Sequence, residues 1–147
     1  TQSRSSAASD VYKRQAVGFN LRFGDSGGID SGASDYSFIT ERLDSSSASF
    51  SATVNQSADA INLATQGVGN ATIEGYSGMI WIGQPQDSTQ AVKCFGFSSY
   101  INSSGALTGG NFNGMRNAAM TITQAQVLPT GGTITSGRMT LWGYKHG

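Results

Sequence analysis

Gly137-Arg-Met-Thr-Leu-Trp-Gly-Tyr-Lys-His-Gly147 is the stretch on which the fold turns. In an extended chain Met139, Leu141 and Gly143 fall on one side and Thr140, Trp142 and Tyr144 on the other, the period of two of a β-strand. Both faces carry bulk, and a strand that is apolar on both sides usually lies inside a sheet that packs against a second one. The sequence therefore predicts a buried closing strand inside a sheet, with Leu141 in the core and the rest of the chain assembled around it.

Working outward, the composition agrees with a sheet protein. The 147 residues include 20 glycines and only two prolines, 12% are charged, and Ser, Thr and Asn are abundant. That mixture suits short strands joined by many turns and lacks the Glu, Lys, Leu and Ala that helical domains use. Val17, Phe19, Leu21 and Phe23 alternate with Gly18, Asn20 and Arg22, which predicts a half-buried strand over 16–23. A loop over 24–35 leads to a strand over 36–43, and a serine-rich surface connection follows over 45–57. A strand over 58–65 is favoured over a helical turn because Gly67 and Gly69 come next. Met79-Ile-Trp-Ile82 reads as a central strand within 71–83, ahead of a turn at 84–88. The segment 91–101 changes phase around Gly96, the mark of a bulge or bend. A short segment over 106–112 leads through a glycine-rich bend to Met115, and a strand over 118–127 turns Met120 and Ile122 inward. A loop over 128–137 then delivers the closing strand. About eight strands at this spacing predict an antiparallel β-sandwich of jelly-roll type.

The start of the chain stands apart. Thr1 to Gln15 has no sustained period and no apolar stretch of a signal peptide, and it resembles the translated read of a sequencing-library adapter found at the ends of fragmentary metagenomic gene models. It is expected to be non-native and disordered, with a single sandwich domain over 16–147 whose natural N-terminal part is missing. Taking Arg4, Lys13, Arg14 and Asp10 from nine basic and nine acidic residues leaves six and eight, a net charge of −2. Such a body has no basic surface for nucleic acid, and no run approaches the roughly 20 apolar residues of a membrane span. Cys94, the one cysteine, allows no internal disulfide and reads as a small buried hydrophobe.

Few motifs carry chemistry. Gly24-Asp-Ser-Gly-Gly28 matches the nucleophile segment of chymotrypsin-like proteases, but that chemistry needs an imidazole and an orienting carboxylate. The only histidine, His146, is penultimate, and the roughly 120 residues after the motif exceed that family's remainder. Asp25, Asp30 and Asp35 are spaced five apart in a glycine-rich loop, the one place where oxygen ligands for calcium gather, although the spacing departs from a helix-loop-helix calcium site and suits a solvated loop. No other cofactor is expected. Asn55, Asn70 and Asn102 begin N-glycosylation patterns of the kind that arise by chance in such a sequence. Glu41 and Glu74 are the only glutamates and nothing pairs them. Sugars bind flat aromatic faces flanked by amides, which makes Trp81, Tyr36 and Tyr100 the ligand-binding candidates, with Trp142 and Tyr76 behind them. Core packing is the competing fate of each.

Several segments together resemble a family of virion-associated β-domains of tailed phages, common at the C-termini of tail-fibre or minor structural proteins. They are Phe19-Asn-Leu-Arg-Phe-Gly-Asp-Ser-Gly27, Ala71-Thr-Ile-Glu-Gly75, Gly105 through Arg116, Ala119-Met-Thr-Ile-Thr123 and Gly131 through Lys145. The family pattern has an Arg-Phe strand, an Asn/Gly-Asp-Thr/Ser-Gly loop, an Ile-Thr strand and a terminal Leu-Tyr-Gly-Ile-Lys. Trp142 and Tyr144 depart from it where tyrosine and isoleucine are usual. The resemblance implies a jelly-roll-like virion domain (tail fibre, tail-associated or minor capsid or decoration protein) that serves structure or host attachment. The domain is expected to be non-enzymatic, to join other virion proteins, to form a homo-oligomer such as a trimer that covers any remaining apolar face, and to contact a host-surface glycan. No receptor-contacting residue carries over, because such residues would lie in variable loops. The alternative is a carbohydrate-binding module of a secreted bacterial protein, and a third class is a hydrolase or lyase on the same sandwich.

Overall fold

A computed structural model describes residues 17–134 and 136–143, so the segment 1–15 lies outside the described residues. The chain is an antiparallel β-sandwich with no helix among those residues. Its strands are β1 (Phe19–Asp25), β2 (Gly28–Ile29), β3 (Tyr36–Asp44), β4 (Ser47–Ala58), β5 (Ile61–Asn62), β6 (Tyr76–Gly83), β7 (Ala91–Ile101), β8 (Leu107–Ala119) and β9 (Gln124–Pro129).

The larger sheet has the order β4-β3-β8-β7-β6. Within it β6, β7 and β8 form a meander that returns to lie beside β3, which is a Greek-key arrangement, the unit from which jelly rolls are built. The smaller sheet is built on β1. Asn20 and Leu21 pair with both β5 and β9, and Gly24 pairs with both β2 and β9. A residue has two edges, so β9 runs along one side of β1 while β5 and β2 share the other. The gap between those two short strands is closed by a side chain. The Tyr36 hydroxyl accepts from the Phe23 N–H at 2.8 Å and lies 3.1 Å from the Phe23 carbonyl and 3.0 Å from that of Asp30, so a buried strand edge is satisfied without a neighbouring strand.

Between the sheets lie Leu21, Phe23, Tyr36, Phe38, Ile61, Val92, Cys94 and Phe112, with Met120 and Ile122 closing one end. Each large side chain fully buried here stabilises the fold by about 1.5–3 kcal/mol. At Gly114 the sheets approach so closely that an added Cβ would run into the buried Ile61 side chain. The Thr40 hydroxyl donates to the Asn62 carbonyl at 2.6 Å, tying β3 to β5.

Several elements differ from the sequence reading. The 24–35 loop opens with a hairpin that adds β2, and the serine-rich 45–57 stretch is mostly the long edge strand β4. The strand expected over 58–65 is only the two residues of β5. Met79–Ile82 lies in β6 at the other edge of the sheet, not in its centre. β7 passes through Gly96 without a register shift; the irregularity falls between Ala91 and Lys93. β8 continues through the expected bend at Gly109, Gly110 and Gly114. Met120 and Ile122 are buried as expected, but residues 120–123 lie outside any strand, the Ile122 N–H donating to the Pro85 carbonyl and the Thr123 N–H to that of Gly24, and the strand begins at Gln124.

The largest correction concerns the closing strand. Residues 136–143 form no strand, and Leu141 is 88% exposed with Trp142 at 79%. The place beside β1 belongs to β9, which pairs along all six residues from Phe19 to Gly24. A period of two specifies faces but supplies no partner, and the last sheet position was already filled one element earlier. Tyr144 to Gly147 lie outside the described residues.

Candidate functional site

Strict alternation in β6, β7, β8 and β3 sends one set of side chains into the core and the other to the outer face of the larger sheet. In β7 the inward set is Val92, Cys94, Gly96, Ser98 and Tyr100, which leaves Lys93, Phe95, Phe97 and Ser99 outside. The registers then align two rows across the sheet. Trp81 neighbours Phe95, Phe95 neighbours Asn113, Asn113 neighbours Ile39 and Ile39 neighbours Val54. Beside it run Met79, Phe97, Asn111, Glu41 and Ala52. Nothing among the described residues covers these rows, and their large apolar members are 40–61% exposed.

The aromatic part is ordered. Trp81 and Phe95 lie parallel, with ring centroids 5.3 Å apart and planes 9° from one another, and Phe97 leans against Trp81 at 5.9 Å. Parallel rings this close cover one face of each other, so the cluster offers its edges and outer flanks to solvent. The Asn111 and Asn113 amides, the Glu41 carboxylate and the Lys93 ammonium stand on the same face.

Of the expected ligand-binding residues, only Trp81 stands on this face. Tyr36 and Tyr100 are core residues, 0% and 3% exposed, and no ligand reaches them. Burial raises the Tyr36 pKa, in keeping with a hydroxyl committed to the β1 edge. Tyr76 stacks between Phe19 and Tyr100, and burial pushes its phenol up to about 12. Trp142 is exposed but far along the unpaired segment. Phe95, Phe97 and Met79 were missed, because a phase change was placed at Gly96 to bring the phenylalanines inside. Keeping the period of two unbroken from Val92 to Tyr100 would have put them outside.

The aspartate loop is divided. Arg116 Nε donates to Asp30 at 2.8 Å, and its guanidinium lies 3.4 Å from Asp35 and 5.9 Å above the Tyr36 ring. Asp25 instead accepts from the Gly27 N–H at 2.7 Å. A guanidinium thus holds two of the three carboxylates, and no cluster of three metal-ligating acidic, His or Cys side chains occurs among the described residues. Gly24-Asp-Ser-Gly-Gly28 is the hairpin turn from β1 to β2, with Gly28 at φ 119°, so its letters are accounted for by turn geometry. Asn102 is buried, its side-chain Oδ1 accepting from the Ser104 and Ala106 N–H groups and its Nδ2 donating to Gln66 and Thr108. Glu74 accepts from the Ala71 N–H, and His146 lies outside the described residues.

A polar hollow of about 380 Å³ is lined in part by Asn20, Phe38, Asn55, Asp59 and Asn62. Arg22 pairs with Asp59 there, while the side-chain Oδ1 atoms of Asn20 and Asn62 are closed off from solvent without a hydrogen-bond partner. Comparison with protein-family models, curated proteins and solved structures gave no match.

Proposed function

We propose that the chain is a non-enzymatic structural domain of a tailed-phage virion, in a tail fibre, a tail-associated protein or a minor capsid or decoration protein. The observation that carries this is the uncovered aromatic face of the larger sheet, an apolar patch of the kind that marks an assembly surface. The resemblance supports it at the N-terminal end, where Arg22-Phe-Gly-Asp25 ends β1 and Ser26-Gly27 makes the turn into β2. Its C-terminal end gains no support, since residues 136–143 are unpaired. Attachment to a host surface would be a further role of the same domain. Antibodies raised against the domain should label density-purified phage particles from the source material. Finding the protein only in the particle-free fraction would overturn the proposal.

The second reading, a carbohydrate-binding module, is favoured by the line from Trp81 and Phe95 to the Asn113 amide. The mutual stacking of those two rings weighs against it, because a sugar needs an open face. Selective glycan-array binding that is lost in Trp81→Ala would make it the better reading.

A further inference from the structure

We infer that the outer face of the larger sheet docks onto the same face of a second copy of this chain, about a two-fold axis that passes over Asn113. The inference deepens the assembly reading and rests on it, naming the partner of that surface.

Size is the first support. Five strands about 4.8 Å apart, with some eight residues each at about 3.3 Å, make a face of roughly 600 Å² in projection. Side chains that stand off the sheet raise its accessible area above that, and a stable dimer buries about 800 Å² per partner.

Charge arrangement is the second and more specific support. The outward positions of β3, β6, β7 and β8 carry one carboxylate, Glu41, and one ammonium, Lys93. Neither forms an ion pair among the described residues. Glu41 lies opposite Asn111 and Lys93 opposite Met115, on the two sides of β8. They are therefore two strands and four residues apart, about 16 Å, too far to meet within one chain. Their midpoint is Asn113, in the middle of the row that joins Trp81 and Phe95 to Ile39 and Val54.

A two-fold axis in the interface through that midpoint, set across the line between the two charges, exchanges their positions. Glu41 of each copy then meets Lys93 of the other, twice over. Asn113 meets its own mate, and an amide is both donor and acceptor, so it can pair with itself across the axis. The aromatic cluster lies along that axis, so Trp81, Phe95, Phe97 and Met79 of one copy come down on the same cluster of the other, and the two Ile39 side chains fall beside one another. A neutral face with its two charges balanced about the centre also gives no reason for nucleic acid or an anionic membrane to bind.

Sedimentation of the full chain should show a dimer at about 100 µM or below, a concentration within reach of such an area. Phe95→Ser with Phe97→Ser should give monomers while circular dichroism stays unchanged and, below the wild-type dimer Kd, the melting temperature matches the wild type, since both rings are outside the core. Glu41→Lys and Lys93→Glu should each raise the dimer Kd by about tenfold or more, and the two together should restore it to within about threefold. A monomer throughout, a dimer indifferent to Phe95 and Phe97, or a double exchange no better than either single one would overturn the inference. Particles labelled by antibody alongside a protein that is monomeric in solution would leave the virion proposal standing and remove this one.

Discussion

Tyr36 makes one hydroxyl serve as part of a strand. Tyr36→Phe keeps the ring in the core and removes only the group that meets the Phe23 N–H and the carbonyls of Phe23 and Asp30. A buried donor left unmatched costs about 1–3 kcal/mol. Urea denaturation should therefore show a lower midpoint with an unchanged slope, because the surface exposed on unfolding is the same. Asn102 organises the turn from β7 to β8 through four hydrogen bonds, two of them to backbone N–H groups. Asn102→Ala should be at least as costly, by about 2–3 kcal/mol. The same burial that makes Asn102 structural removes it as a glycan acceptor, which its local sequence pattern could not convey.

The strands differ in how legible they were. β1 reads correctly because Phe19, Leu21 and Phe23 alternate with polar neighbours and one face alone is apolar, and β3 because Tyr36, Phe38 and Thr40 recur at every second position and are buried. β4 was hidden because an edge strand is wetted on its open side, so serines are tolerated where the pattern asks for apolar residues. β7 was found but its faces were misjudged, since a strand carrying Phe95 and Phe97 outside and Val92 and Cys94 inside breaks the rule that bulk goes inward. That exception is the candidate site itself, so local pattern fails where bulk stands on the outer face and does not serve the core. Residues 136–143 fail in the opposite sense, with a strand pattern and no strand. Two opposed substitutions check these assignments. Gly96→Val should unfold the domain, because its Cβ would meet the Met79 carbonyl and the Phe112 ring. Leu141→Ser should shift stability by less than about 0.5 kcal/mol, as expected of an exposed side chain away from packed elements. A large loss at Leu141 would reinstate the closing strand.

At the scale of the whole molecule, one face of the larger sheet builds the core and the proposed assembly surface is the other, so folding and the proposed assembly draw on separate residues. The all-β class was readable from composition, whereas the pairing of sheets depended on Tyr36, Arg116 and Gly114, whose partners lie far along the chain. The core also contains groups that titrate only in strong alkali, which makes its integrity depend on pH. Burial lifts the Cys94 thiol from an ordinary 9.0 to about 12. The Tyr76 phenol rises from 10.0 to about 12, through burial first and then the neighbouring Tyr100. Above each ordinary value the unfolded chain gives up a proton that the folded chain keeps, so the unfolded state gains. The stability tied to both groups is present in full below pH 9 and is lost as the pH rises through 9 and 10 towards 12. Thermal melts across that range should fall steeply from about pH 9. In Cys94→Ala the fall should begin nearer pH 10, where only the phenol remains, and at pH 8 the wild-type thiol should resist labelling until denaturant is added. A melting temperature level from pH 8 to 11 would mean that these two groups are not held in a dry, intact core.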